Sequence, residues 1–161
     1  MALTYTPIAT TTISGSGTAS YTFSSIPSTY TDLVLICVGS TTQGLQLQFN
    51  GDTGTNYSGT GLFGNGTAAS SSNDTNKAYL AIDGGGGAAN AYIPYIVNIN
   101  NYANTTTYKT VLARFNATTT YMGARVCLWR STSAINSIKV YPYSGNLTDQ
   151  TTFTLYGITA A

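Results

Sequence analysis

Residues 32–49 read DLVLICVGSTTQGLQLQF and hold two β-strands of different kinds in close succession. Leu33 to Val38 is an unbroken apolar run, short and rich in β-branched side chains, the pattern of a central strand covered on both faces. Leu45, Leu47 and Phe49 alternate with Gln46 and Gln48, which is the two-residue period of a strand with one face wet. Asn50-Gly51-Asp52 ends this second strand, because Asn and Gly accept the left-handed backbone that a tight turn requires.

Outward from this core the same alternation recurs and helical periodicity is absent. Tyr21 and Phe23 share a face in a strand over 19–23. Further strands are expected over 77–83, 91–99, 108–116, 121–130, around Ile135, Ile138 and Val140, and over 153–158. In the strand over 91–99 Ile93, Tyr95, Val97 and Ile99 line one face, and Pro94, which has no ladder donor, suggests an edge strand or a bulge. In the strand over 121–130 both faces carry apolar residues. Gly84 to Gly87 read as a flexible turn, since neither Lys-Ser/Thr nor a helix follows to make a phosphate loop. Thr118-Thr119-Thr120 and Ser144-Gly145-Asn146 read as connections. Residues 51–76 are dominated by Gly, Ser, Thr and Asn and read as a long loop or a short irregular excursion pinned by Tyr57, Leu62 and Phe63, either a place of partner contact or a surface loop with a little secondary structure of its own. These three residues, with a loop tyrosine at Tyr102, are the candidate partner contacts. Eight or nine short strands with almost no helix define an all-β chain, an antiparallel β-sandwich. Several connections are too long for hairpins, which favours a jelly roll over an up-and-down barrel. The expected organisation is an extended N-terminal arm over 1–17 and one sandwich domain over 18–161.

Composition narrows the function. The 161 residues include no histidine and no glutamate, so the usual proton carriers of catalysis near neutral pH are missing and an enzyme is not expected. The five aspartates, at 32, 52, 74, 83 and 149, show no spacing that suggests a catalytic pair. No cofactor is expected, and two cysteines without histidine cannot build a transition-metal site. Asp52-Thr53-Gly54-Thr55-Asn56 faintly echoes a calcium loop but lacks the closing glutamate. The six cations are scattered and the net charge is +1, which argues against nucleic acid and leaves Arg114, Arg125 and Arg130 to form specific contacts on or beside strands. No apolar run approaches the length of a membrane span, and the N-terminus does not read as a secretory signal. Cys37 and Cys127 lie within apolar runs and are expected as buried thiols, with a disulfide between them left open. Six Asn-x-Ser/Thr sequons are what chance supplies in a chain so rich in Asn and Thr.

Four blocks, FSSIPSTYTDLVLICVGS, LQFNGDTGTNYS, NNYANTTTYKTVLARFN and WRSTSAINSIKVYPYSGNLTDQTTFTLYGI, together resemble a family of small virion structural proteins of tailed bacteriophages. The most specific elements are Phe49-Asn50-Gly51-Asp52 leading to Asn56-Tyr57, then Trp129-Arg130-Ser131-Thr132, and the closing Leu155-Tyr156-Gly157-Ile158. The resemblance implies a β-sandwich on the exterior of the virion, a homotrimer or part of a symmetric vertex, without catalysis or cofactor. It implies a capsid decoration (cement) protein whose partners are other virion proteins, the major capsid protein foremost. The alternative is a tail-fibre or appendage module that recognises host surface glycan through tyrosines. Neither membrane nor nucleic acid enters either reading.

Overall fold

Alternation in the sequence becomes twelve antiparallel strands in a computed structural model that describes residues 4–39, 44–83, 93–116 and 121–159. The strands are β1 (Tyr5–Thr12), β2 (Tyr21–Phe23), β3 (Asp32–Gly39), β4 (Leu45–Phe49), β5 (Tyr57–Gly64), β6 (Ala69–Lys77), β7 (Leu80–Ala81), β8 (Ile93–Ile99), β9 (Lys109–Asn116), β10 (Met122–Trp129), β11 (Ile138–Pro142) and β12 (Thr152–Ile158). They form a sheet of eight in the order β1-β12-β3-β8-β9-β10-β5-β6 and a sheet of four in the order β2-β11-β4-β7. The described residues contain no helix. The fold is an all-β antiparallel sandwich, with more strands than the eight or nine expected. Its strands divide eight and four between the two sheets.

One apolar core lies between the sheets. Leu33, Leu35 and Cys37 of β3, Tyr95, Val97 and Ile99 of β8, and Val111 and Ala113 of β9 meet Leu45, Leu47 and Phe49 of β4 and Ile138 and Val140 of β11. The link between the layers is the turn after β4. Asn50 and Gly51 have φ of 53° and 68°, and Asp52 N–H donates to the Phe49 carbonyl at 2.9 Å, so the chain leaves the small sheet and enters β5 of the large one. The Asn50 side chain also donates to the Ala134 carbonyl and accepts from the amides of Asn136 and Ser137, tying this corner to the approach to β11.

Several expectations are corrected. Within the stretch expected as an arm over 1–17, the described residues do not leave the domain: Tyr5–Thr12 is an edge strand paired along its length with β12, and Ile8, Ala9 and Ile13 pack on the core. Its Thr-rich composition resembles a linker, yet β-branched threonines also suit a strand. The supposed loop over 51–76 is largely the hairpin of β5 and β6, closed where the Asn65 side-chain oxygen accepts from the Thr67 and Ala68 amides. The Asn104 side chain closes a second turn in the same way on Thr106 and Thr107, so two of the six sequons are turn chemistry. The hairpin hid from sequence reading because its inward positions are partly glycine: a Cβ on Gly61 would overlap the Phe63 ring. Pro94 does not mark an edge, since β8 lies between β3 and β9; it sits where the β9 ladder has stopped, one residue before the Tyr95–Phe115 pair. Gln46 and Gln48 are buried instead of wet, and Gln48 donates to the Ala78 carbonyl at 2.8 Å. The glycines at 84–87 and the threonines at 118–120 lie outside the described residues.

Cys37 and Cys127 are both buried free thiols. Burial pushes both thiols up, with Arg125 partly opposing it at Cys127. Neither is expected to react as a thiolate in the folded chain. An Ellman titration at pH 8 is expected to show almost no reaction in native buffer and two equivalents after unfolding in guanidinium. Rapid reaction of either thiol in native buffer contradicts this burial.

Candidate functional site

Of the four residues singled out as partner contacts, the structure leaves one at the surface. Tyr57 is fully buried, its hydroxyl accepting from Phe49 N–H and donating to the Asp52 carbonyl, both at 3.1 Å. Tyr102 is also fully buried and donates to the Pro27 carbonyl. Phe63 packs inward against Phe115 and Tyr121 and lies under the Arg125 guanidinium. Leu62 alone is exposed, at 67%. Tyrosines flanked by polar turn residues look like surface residues in sequence; here the turns fold over them and their hydroxyls satisfy backbone groups.

Two of the three sequence elements that carry the resemblance most specifically, Phe49-Asn50-Gly51-Asp52 with Asn56-Tyr57 and Trp129-Arg130, converge on the corner after β4, while Leu155 to Ile158 lie in β12. Trp129 stacks on Tyr57 with ring centroids 6.3 Å apart and meets Phe49 edge-on at 5.5 Å. Its indole N–H donates to the Asp52 carboxylate at 2.7 Å. Asp52 also accepts from Asn56 and from Gly54 N–H. Partial burial works to raise the Asp52 pKa, but these three hydrogen bonds outweigh it and hold the carboxyl below its ordinary range. The carboxylate that echoed a calcium loop is thus committed to donors of the protein itself. Arg130 adds a bond to the Thr55 carbonyl and another to Asn76. This motif builds the fold and presents no open site.

Two other features face outward. The first is the outer face of the eight-stranded sheet. Register places Val34, Ile36 and Val38 of β3 beside Asn98, Ile96 and Pro94 of β8, then Leu112 and Arg114 of β9, then Ala124 and Val126 of β10, with Leu62 of β5 beyond. Seven large apolar or aromatic side chains are exposed among the described residues, and five of them (Tyr5, Val38, Leu62, Met122 and Val126) point from strands of this face. Tyr108, one residue before β9, continues the outward phase of that strand. The apolar run of β3, expected to be covered on both sides, is covered on its inner side throughout and on its outer side only at Val34, with Ile36 half-buried and Val38 exposed. The face holds one exposed cation, Arg114, which has no ion pair among the described residues.

The seventh exposed side chain, Tyr143, stands at a pocket of about 340 Å³ at the rim between the sheets. Arg125, from the inner face of β10, reaches across β5, whose inward positions include Gly59 and Gly61, to the Asp74 carboxylate of β6 at 2.5 Å. It also donates to the Asp83 carbonyl at 3.0 Å, while its Nε has no hydrogen-bond partner among the described residues. The Asp83 carboxylate accepts from Leu45 N–H at 2.8 Å and from the Tyr95 hydroxyl at 3.4 Å. Lys77 and Tyr79 complete the opening, with Tyr79 and Tyr143 edge to face at 6.3 Å. Two aspartates that are nine residues apart in sequence therefore do converge, although their spacing gave no hint of it. The available signal was Arg125 in phase with Cys127 and Trp129 on a strand with both faces occupied, but it could not say which side was inside.

Compared with known proteins, the chain matches no family model, no curated protein and no solved structure.

Proposed function

We propose that the chain is a bacteriophage virion structural protein, a capsid decoration (cement) protein on the exterior of the particle, which docks on shell subunits through the outer face of its eight-stranded sheet. The observation that carries the docking surface is the run of exposed Val38, Val126, Leu62 and Met122 on one uncovered sheet face. Eight strands about 4.8 Å apart, with three or four outward residues each, give a face of about 34 by 20 Å. That is on the order of 700 Å², close to the about 800 Å² each partner contributes to a standard interface. Apolar Ile96, Leu112 and Val126 surround Arg114 on the central strands of the face, and Thr60, Thr110, Thr152 and Thr154 add hydroxyls to the same face, a mixture of apolar and polar groups that a protein interface accommodates. The virion assignment is supported by the sequence blocks described above, and the homotrimer is the arrangement they imply. A neutral, hydroxyl-rich surface without pH-responsive side chains suits a particle component that works outside the cell.

Quantitative mass spectrometry of purified particles is expected to count this chain at a copy number comparable to that of the major capsid protein. Leu62→Lys together with Val126→Lys, both at exposed positions, is expected to give folded protein that no longer joins the particle. A few copies per particle, or undiminished incorporation of the double variant, rejects the reading.

A further inference from the structure

We infer that the pocket between Arg125 and Tyr143 is a binding site for a neutral saccharide of one or two rings. The inference stands apart from the capsid reading, since the pocket lies at the rim between the sheets and not on the outer face. Three observations lead to it. The pocket's charges balance, Asp74 and Asp83 against Lys77 and Arg125, so neither an anion nor a cation is favoured by a net field. Arg125 is 4% exposed and lines the pocket, a guanidinium held in a fixed orientation by the Asp74 carboxylate and the Asp83 carbonyl, and so a pre-positioned donor group in the pocket wall. The entrance carries two tyrosine rings, one of them 64% exposed, which offer apolar faces to the C–H surface of a sugar ring.

A sugar hydroxyl both donates and accepts, so a ring with several hydroxyls can donate to carboxylate oxygens while it accepts from Lys77, Arg125 and the Gln46 amide. A cavity of about 340 Å³ lies within the range of small-molecule sites and has room for one or two such rings. A simple anion finds Arg125 already neutralised by Asp74, and a metal ion meets two cations; among the described residues no cluster of three metal-ligating side chains occurs. Both carboxylates are held by donors of the protein, so the site binds without acting as an acid or base. The tyrosines that sequence reading would have assigned to sugar contact, Tyr57 and Tyr102, are buried; Tyr79 and Tyr143 take that role.

The test is titration of the intact chain with the methyl glycosides of glucose, galactose, mannose, N-acetylglucosamine and rhamnose. Saturation-transfer NMR and calorimetry would follow binding. At least one glycoside is expected to bind saturably with a millimolar or tighter Kd. Tyr143→Ala, at an exposed position, is expected to weaken it about tenfold or more with an unchanged Tm. Leu62→Lys, on the outer face, is expected to leave binding intact. The inference is overturned by no saturable binding of any of the five up to tens of millimolar, by binding that keeps its Kd in Tyr143→Ala, or by binding that Leu62→Lys abolishes. Failure here leaves particle incorporation unaffected, so the two proposals can fail separately.

Discussion

Replacing Trp129 by alanine is expected to remove about 3–5 kcal/mol of stability, the usual cost of emptying a large aromatic site in a core. Domains of this kind have about 5–15 kcal/mol in total, so the variant should sit near the edge of folding. At this chain length the same loss lowers Tm by roughly 6–20 °C. Trp129 is 2% exposed, fills the space between Phe49 and Tyr57, and supplies the indole donor of the Asp52 carboxylate. Its removal leaves a cavity where the chain passes from one sheet to the other and takes a hydrogen bond from a charged acceptor. Trp129→Phe separates the two effects, because it keeps most of the volume and loses only the donor; a hydrogen bond to a charged group is worth about 1.5–3 kcal/mol. Guanidinium unfolding of the three proteins measures both differences. A loss under about 1 kcal/mol for the alanine variant would mean that the corner is not a keystone of the fold.

Stability is expected to be nearly flat from about pH 5 to pH 8.5 and to collapse above pH 10. The flat region follows from the absence of His and Glu, since no side chain of ordinary pKa titrates there. The collapse follows from groups that the fold keeps protonated. Burial pushes the Cys37 thiol and the Tyr95 and Tyr57 hydroxyls far up, with the Asp83 charge adding to the effect at Tyr95 and the Asp52 charge at Tyr57. Burial likewise raises Tyr141, to about 12. A raised folded pKa contributes stability that is complete below the unfolded pKa, 9.0 for Cys and 10.0 for Tyr, and is lost as pH rises toward the folded value. Each such group removes about 1.4 kcal/mol per pH unit in that window. Cys37, Tyr57 and Tyr95 together amount to a loss on the order of 5 kcal/mol by pH 11. Lys109 acts in the opposite sense: burial lowers its pKa, so its cost is relieved as pH rises toward 10.5. It is one group against several. Denaturation midpoints at pH 6, 8, 10 and 11, read beside tyrosinate absorbance, test this. Tyrosinate from the buried rings should appear together with unfolding. Gradual titration of all thirteen tyrosines near pH 10 with native circular dichroism intact contradicts it.

Class and local turns were legible because they depend on neighbours in the chain. The alternation of Leu45, Leu47 and Phe49, the faces of β8 and β9, and the Asn50-Gly51 turn all follow from the two-residue period or from the backbone preference of single residues. The β5–β6 hairpin was not legible, because its alternation is interrupted by glycines whose space is taken by the Phe63 ring and by Cys127 from the neighbouring strand. The same holds for the candidate sites. Tyr57 and Tyr102 carry the same local signal as an exposed loop tyrosine, and only the residues that close over them decide their burial.

The sequence by itself determined the all-β class, the strand at residues 32–39 and the lack of groups that titrate near neutral pH, since these are properties of residue type and of near neighbours. Tertiary structure decided which faces are covered. Residues 32–39 carry two apolar faces, and no local rule says that the chain covers that of Leu33, Leu35 and Cys37 throughout but the other only at Val34, leaving Ile36 half-exposed and Val38 exposed. It also decided that Arg125, Asp74 and Asp83 share a pocket, because contacts between β10, β6 and the end of β7 arise from strand order, which depends on how distant segments pack together.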